Sequence, residues 1–196
     1  MSNAYQRPAF RHLSEATTQD MAEIFDHYHG LRNGIADHVL MMLKLLSGER
    51  LGFPVDRLEH SMQSAAFALR DGADEETVVC ALLHDIGDNI APDNHGAFAA
   101  EILRPWVSAD NYWIVRNHND FVGRHYFAKI GRDPDLRERH REHPAFEKAC
   151  RFCDDWDAAA FDPNFDTPPL EFFEPMVRRV FSGEPWAHAE KGVAGH

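Results

Sequence analysis

The chain has 196 residues, of which 44% are hydrophobic and 11% aromatic, and its 20 Lys and Arg against 32 Asp and Glu leave a formal charge of −12. That size and core-forming content suit one compact domain and exclude wholesale disorder. So acidic a chain repels phosphate backbones and anionic bilayers, which excludes general nucleic-acid binding and membrane docking but not a small anionic substrate gripped by a few local cations. No apolar run approaches the ~20 residues that span a bilayer. The chain does not open on the basic stretch and apolar run of a secretory signal. Its three cysteines, Cys80, Cys150 and Cys153, cannot build a disulfide framework. A cytoplasmic protein is expected. Thirteen histidines are the compositional oddity.

Residues 1–16 read as a loose lead-in, 17–183 as one helical domain, and 184–196, rich in Ala, Gly and His, as a flexible tail. Within the domain, Ile35, Val39, Met42, Leu43 and Leu46 follow helical spacing up to Gly48. Leu58, Met62, Ala65, Ala66 and Leu69 repeat that spacing and stop at Gly72. Asp74 can cap the next helix, whose first turn holds Glu75 and Glu76 and whose apolar positions run from Val78 to Ile86, with a break expected at Gly87. A helix carrying Phe98, Ile102 and Leu103 must end before Pro105, and Ser108 opens another through Ile114 and His118. The stretch from Pro144 to about Phe161 reads as one long amphipathic helix. Pro168-Pro169 separates it from a last helix bearing Phe172, Phe173, Met176, Val177 and Val180. No alternating strand or hairpin signal occurs, so the expected class is all-α.

His84-Asp85 closes the apolar run Ala81-Leu82-Leu83. Neighbouring helical residues point about 100° apart, so the pair can approach one metal only near a helix end. A carboxylate has two oxygens and can bridge two ions roughly 3.5–4 Å apart. Imidazole and carboxylate ligands without thiolate suit iron, manganese and related divalent ions. His60 sits on the buried stripe of its helix, where an unpaired imidazole is costly. Asp154 and Asp157 are three apart and share a helical face, so spacing leaves open which of them adds a last carboxylate.

Leu83-His84-Asp85-Ile86-Gly87 with an upstream helical His and a downstream Asp resembles the HD-domain superfamily of metal-dependent proteins. The run Leu58-Glu59-His60, His84-Asp85, His95, His118, Trp156-Asp157-Ala158 and Thr167-Pro168-Pro169, spread over residues 51–181, is similar to its mixed-valent diiron oxygenases. Those enzymes cleave hydroxylated aminophosphonates and are distant relatives of myo-inositol oxygenase. The resemblance implies a helical bundle around two iron ions. In it His60, His84, Asp85 and Asp157 hold one metal, and Asp85 bridges to a second held by His95 and His118. The substrate it implies is small and hydroxylated, with O2 as co-substrate and no side-chain nucleophile. Asp154 fits the spacing of some hydrolytic members instead, and a metal-dependent phosphohydrolase or a non-catalytic metal-binding domain are the alternative functions. The oxygenases carry a Tyr and a Glu just before the first ligand His; Arg50 and Phe53 occupy those offsets here, so that lid cannot form from them. Tyr28, on the extra N-terminal helices, is a candidate substitute.

The anion grip is expected from Arg50, Arg124 or His125, with Lys129, Arg104 and Arg116 as weaker candidates. Cys150 and Cys153, a single pair, read as reduced structural thiols. The charge run from Arg137 to His143 reads as a solvated face.

Overall fold

The computed structural model describes residues 8–48 and 50–188. Among these it shows eight α-helices and no strand: α1 (Thr18–Arg32), α2 (Ile35–Lys44), α3 (Arg57–Arg70), α4 (Glu75–Leu83), α5 (His95–Leu103), α6 (Ala109–Val122), α7 (Phe146–Arg151) and α8 (Leu170–Phe181). Side chains start four of them in the ordinary way. Asp56, Asp74 and Ser108 accept the backbone N–H three residues on, and Thr17 forms a reciprocal capping box with Asp20. Among the described residues no helix is long and apolar enough to cross a membrane.

The all-α expectation is met, and α4 is its centre. Every residue from Val78 to Leu83 is buried, the mark of a helix covered on all sides. It is flanked by α3, α6 and α8, while α5 lies along α6 and α2 against α8. Leu43, Leu82, Leu83, Leu103, Phe121, Phe152 and Phe173 fill the space between them. By contrast α1 buries no residue, and Tyr28 on it is exposed.

Four features depart from the sequence expectation. First, α4 ends at Leu83, with His84 as its C-cap, rather than running to Gly87. Gly87 has a different reason to be glycine: a Cβ there would meet Phe98 Cδ1 at 2.9 Å and His95 Cα at 3.1 Å, so its bareness lets the start of α5 close on the end of α4. Second, the long helix from Pro144 is broken. After α7, residues Phe152–Asp157 form a π-helical turn closed by a hydrogen bond from Ala158 N–H to Cys153 C=O, five residues back, at 2.9 Å. Such turns are rare inside helices and favour functional sites.

Third, the charge run from Arg137 to His143 is only partly a solvated face: Arg139, Arg141 and Glu142 are exposed, while Arg137, His140 and His143 turn inward. Arg137 donates to both oxygens of Asp154 at 2.9 Å, His140 Nε2 lies 2.7 Å from Asp120, and the His143 ring stacks on Trp113 at 3.7 Å. The segment crosses over α6, so its polar groups meet partners there. Fourth, the tail does not begin loosely at residue 184, since Trp186 N–H donates to Pro105 C=O at 2.6 Å. Residues 1–7 of the expected lead-in and 189–196 of the expected tail lie outside the described residues.

Candidate metal centre

Four histidines share one local device. His60 Nδ1 is 3.0 Å from Ala160 C=O, His84 Nδ1 2.8 Å from Ala81 C=O, His95 Nδ1 3.0 Å from Pro92 C=O and His118 Nδ1 2.7 Å from Val115 C=O. A carbonyl only accepts, so each Nδ1 carries the proton and each Nε2 keeps a bare lone pair. These Nε2 atoms meet in pairs, His60 with His84 and His95 with His118, both at 3.3 Å. Two unprotonated nitrogens facing each other repel unless a cation stands between them.

Asp85 joins the two pairs. Its Oδ2 lies 3.3 Å from both His60 and His84 Nε2, and its Oδ1 lies 3.4 Å from His95 and 3.3 Å from His118 Nε2. Asp157, the last residue of the π-helical turn, places Oδ1 3.4 Å from His60 and 3.6 Å from His84. Asp85 Oδ1 and Asp157 Oδ2 are buried and accept no hydrogen bond. Ligand arms of ~2.1 Å opened by about 90–110° put donor atoms ~3.0–3.4 Å apart, which is the spacing found here. Bare imidazole nitrogens, two buried carboxylate oxygens without a donor and this spacing all fit a pair of metal ions with Asp85 between them. Two close-set groups, His60–His84–Asp157 and His84–Asp85–His118, express the same convergence.

Local structure explains the convergence. At the end of α4, His84 as C-cap and Asp85 just after it bring His84 Nε2 and Asp85 Oδ2 to 3.3 Å of each other. His95 opens α5, one short turn from Gly87. Gly96 lets α5 approach α6 closely: a Cβ there would lie 3.0 Å from the His118 ring and 3.1 Å from Val115 O. In the π-helical turn, i to i+5 closure removes the three-residue face that an α-helix would give. Asp157 therefore reaches His60 and His84, whereas Asp154 lies 2.8 Å from His125 Nε2 and accepts from Arg137.

Electrostatics keeps the centre ready for a cation. Burial pushes the His84 imidazole down to about 4 and lowers His95 as well, so both stay neutral near pH 7.

A cavity of about 480 Å³ opens onto the centre between Phe53, Arg57, Asp88, Tyr126 and Phe161. Of the expected anion-gripping residues, only His125 reaches its wall. Arg50 is exposed outside it, and Arg124 turns away to pair with Asp135. Sequence reasoning passed over Arg57 and Asp88. Asp88 Oδ1 is 3.1 Å from His95 Nδ1, and its Oδ2 accepts from Arg57 Nε at 2.7 Å, so it orients both. Both carried a signal in their spacing: Arg57 precedes His60 by three residues on one helix face, and Asp88 follows His84 by four.

The HD-domain model matches residues 57–160. The chain belongs to the HD-domain family. Over 164 residues it is 54% identical to the [1-hydroxy-2-(trimethylamino)ethyl]phosphonate dioxygenase (glycine-betaine-forming) of Leisingera caerulea, with 67% of this chain and 82% of that relative covered. It is therefore an enzyme of the HD-domain oxygenase group, as the ordered His and Asp set implied. The HD-matched segment holds all six convergent residues, from His60 to Asp157, and the pair that gives the family its name is His84-Asp85.

Proposed function

We propose that this HD-domain protein is a diiron oxygenase that oxidises a small hydroxylated aminophosphonate at the carbon bearing the hydroxyl. Its metal ligands in this reading are His60, His84, Asp85 and Asp157 on one side and Asp85, His95 and His118 on the other. The observation that carries it is Asp85, whose two oxygens each face a pair of unprotonated histidine nitrogens. A set of N and O ligands without thiolate favours iron over softer metals, with manganese the nearest substitute. The kinship with a phosphonate dioxygenase supports the substrate class.

Iron bound in pairs supplies the electron transfers that O2 reduction needs. The chain's own groups do the rest. Asp85 turns one carboxylate oxygen to each histidine pair. The four backbone carbonyls fix each imidazole by its Nδ1 proton, so the Nε2 atoms hold their direction through turnover. Phe53 and Phe161, stacked with centroids 5.4 Å apart, wall the cavity and displace water from one side of the substrate. Phe53 stands where the related oxygenases place a lid residue, and contributes bulk there without a titratable group.

Low-temperature paramagnetic resonance tests the reading. Reduced, iron-loaded protein given limited O2 is expected to show a coupled half-integer signal that shifts with a hydroxylated aminophosphonate. Manganese-dependent release of phosphate from esters, with no such signal, would make it a phosphohydrolase instead.

A further inference from the structure

We propose that Arg57 is the anion-gripping residue of the cavity, holding the substrate's phosphonate through the two terminal nitrogens of its guanidinium. This rests on the oxygenase reading and names the group that fixes its substrate. Among the described residues Arg57 is the only Arg or Lys in the cavity wall. A chain of net charge −12 cannot concentrate an anion by its overall field, so a local cation must do so.

Arg57 is held ready for that task. Its Nε donates to Asp88 Oδ2 at 2.7 Å, and its side chain is 11% exposed. The guanidinium lies 5.3 Å above the Phe53 ring. Phe53 stacks on Phe161, and Phe161 stacks on His60 at 4.6 Å. This row of flat groups ties the guanidinium's plane to the metal centre itself.

Its other partner belongs to the centre. Arg57 Nη2 donates one hydrogen to Asp85 Oδ2, the same oxygen that lies 3.3 Å from His60 and His84 Nε2. A carboxylate oxygen has two lone pairs, so that bond can persist when a metal takes the other. With Nε on Asp88 and one Nη2 hydrogen on Asp85, the second Nη2 hydrogen and Nη1 have no hydrogen-bond partner among the described residues. A desolvated guanidinium so placed takes an oxyanion by two parallel N–H···O bonds, a geometry that a phosphonate matches.

The test is calorimetric titration of methylphosphonate into anaerobic, iron-loaded protein, with metal content measured on the same samples. Wild type is expected to bind, and Arg124→Met to bind equally. Arg57→Met should weaken binding by about 10- to 100-fold, and Arg57→Lys by less, with metal content unchanged. Binding by Arg57→Met within twofold of wild type would overturn the assignment. So would metal loss that accounts for the weaker binding, since Arg57 would then serve the ligands rather than the substrate. No methylphosphonate binding by wild type would sink the substrate class and the grip together. Normal Arg57-dependent binding, with no O2 uptake when aerobic iron-loaded protein is given a hydroxylated aminophosphonate, would overturn the oxygenase alone.

Discussion

Two histidine-rich regions lie side by side in this protein and obey opposite rules. Around the centre, His60, His84, His95 and His118 spend Nδ1 on backbone carbonyls and leave Nε2 facing another bare Nε2. Across α6, His125 and His140 turn Nε2 to a carboxylate, at 2.8 Å from Asp154 and 2.7 Å from Asp120, and His143 covers its ring with Trp113. The second region is complete as it stands, because each imidazole has its counter-charge or its stacking partner. The first has acceptors facing acceptors and is complete only around a cation. Histidine count alone does not separate the two; the partner of the second ring nitrogen does.

Removing the shared carboxylate should break the comparison hardest. Asp85→Ala is expected to leave less than one ion per chain after reconstitution with ferrous iron. O2 uptake should fall by more than roughly 100-fold, beyond the 10–100-fold typical of losing a group behind the ligands. Asp157→Ala should deplete one of the two ions. His143→Ala, from the completed region, should retain both, and metal analysis reads all three directly.

Acid should next distinguish an uncompensated imidazole. The buried His84 resists protonation down to about 4, against 6.5 in the unfolded chain. Above pH 6.5 the imidazole is neutral in both states and contributes no pH dependence. As pH falls from 6.5 towards 4 the unfolded chain takes up the proton and the folded chain does not, so stability drops. Metal-free protein should lose roughly 3 kcal/mol across that window from this group. Urea titrations at several pH values measure it, and His84→Gln should flatten the slope.

Asp88→Asn sharpens the comparison at one position, because it removes the carboxylate behind a centre histidine and leaves the centre's own oxygens in place. Metal affinity is expected to fall 10- to 100-fold, read by competition with a chelator. The smallest effects belong to the completed region. Asp154→Ala and His140→Ala should each cost about 1 kcal/mol of stability and leave metal content at the wild-type value. Metal loss in Asp154→Ala equal to that in Asp157→Ala would place the last ligand a turn earlier.

Much of this was legible in the residue order. Helical spacing marked α2 to α6 and α8, with Asp74 and Ser108 named as their first capping groups, because caps and apolar stripes are local. The six centre residues stood out through the resemblance to the HD-domain oxygenases, since spacing alone left Asp154 and Asp157 open. Misplaced features were those in which distant segments compete for one space. Arg50 and Arg124 looked suitable for an anion, yet the loop before α3 and the pairing with Asp135 take them out of the cavity. The run from Arg137 to His143 is solvated at Arg139, Arg141 and Glu142, but Asp154, Asp120 and Trp113, up to 30 residues away in the chain, partner Arg137, His140 and His143.

Composition and pattern determined by themselves that this is an acidic all-α protein, since burial and capping are written residue by residue, and the resemblance of its ordered His and Asp residues implied the HD type. Only the tertiary structure decided which atoms of that set face one another. The i to i+5 closure at Ala158 separates Asp157 from Asp154, and the two glycines Gly87 and Gly96 let α5 come close enough to bring His95 to His118. Both depend on how neighbouring helices press on one another. Helical periodicity assumes a regular backbone, and the π-helical turn that carries Asp157 departs from it.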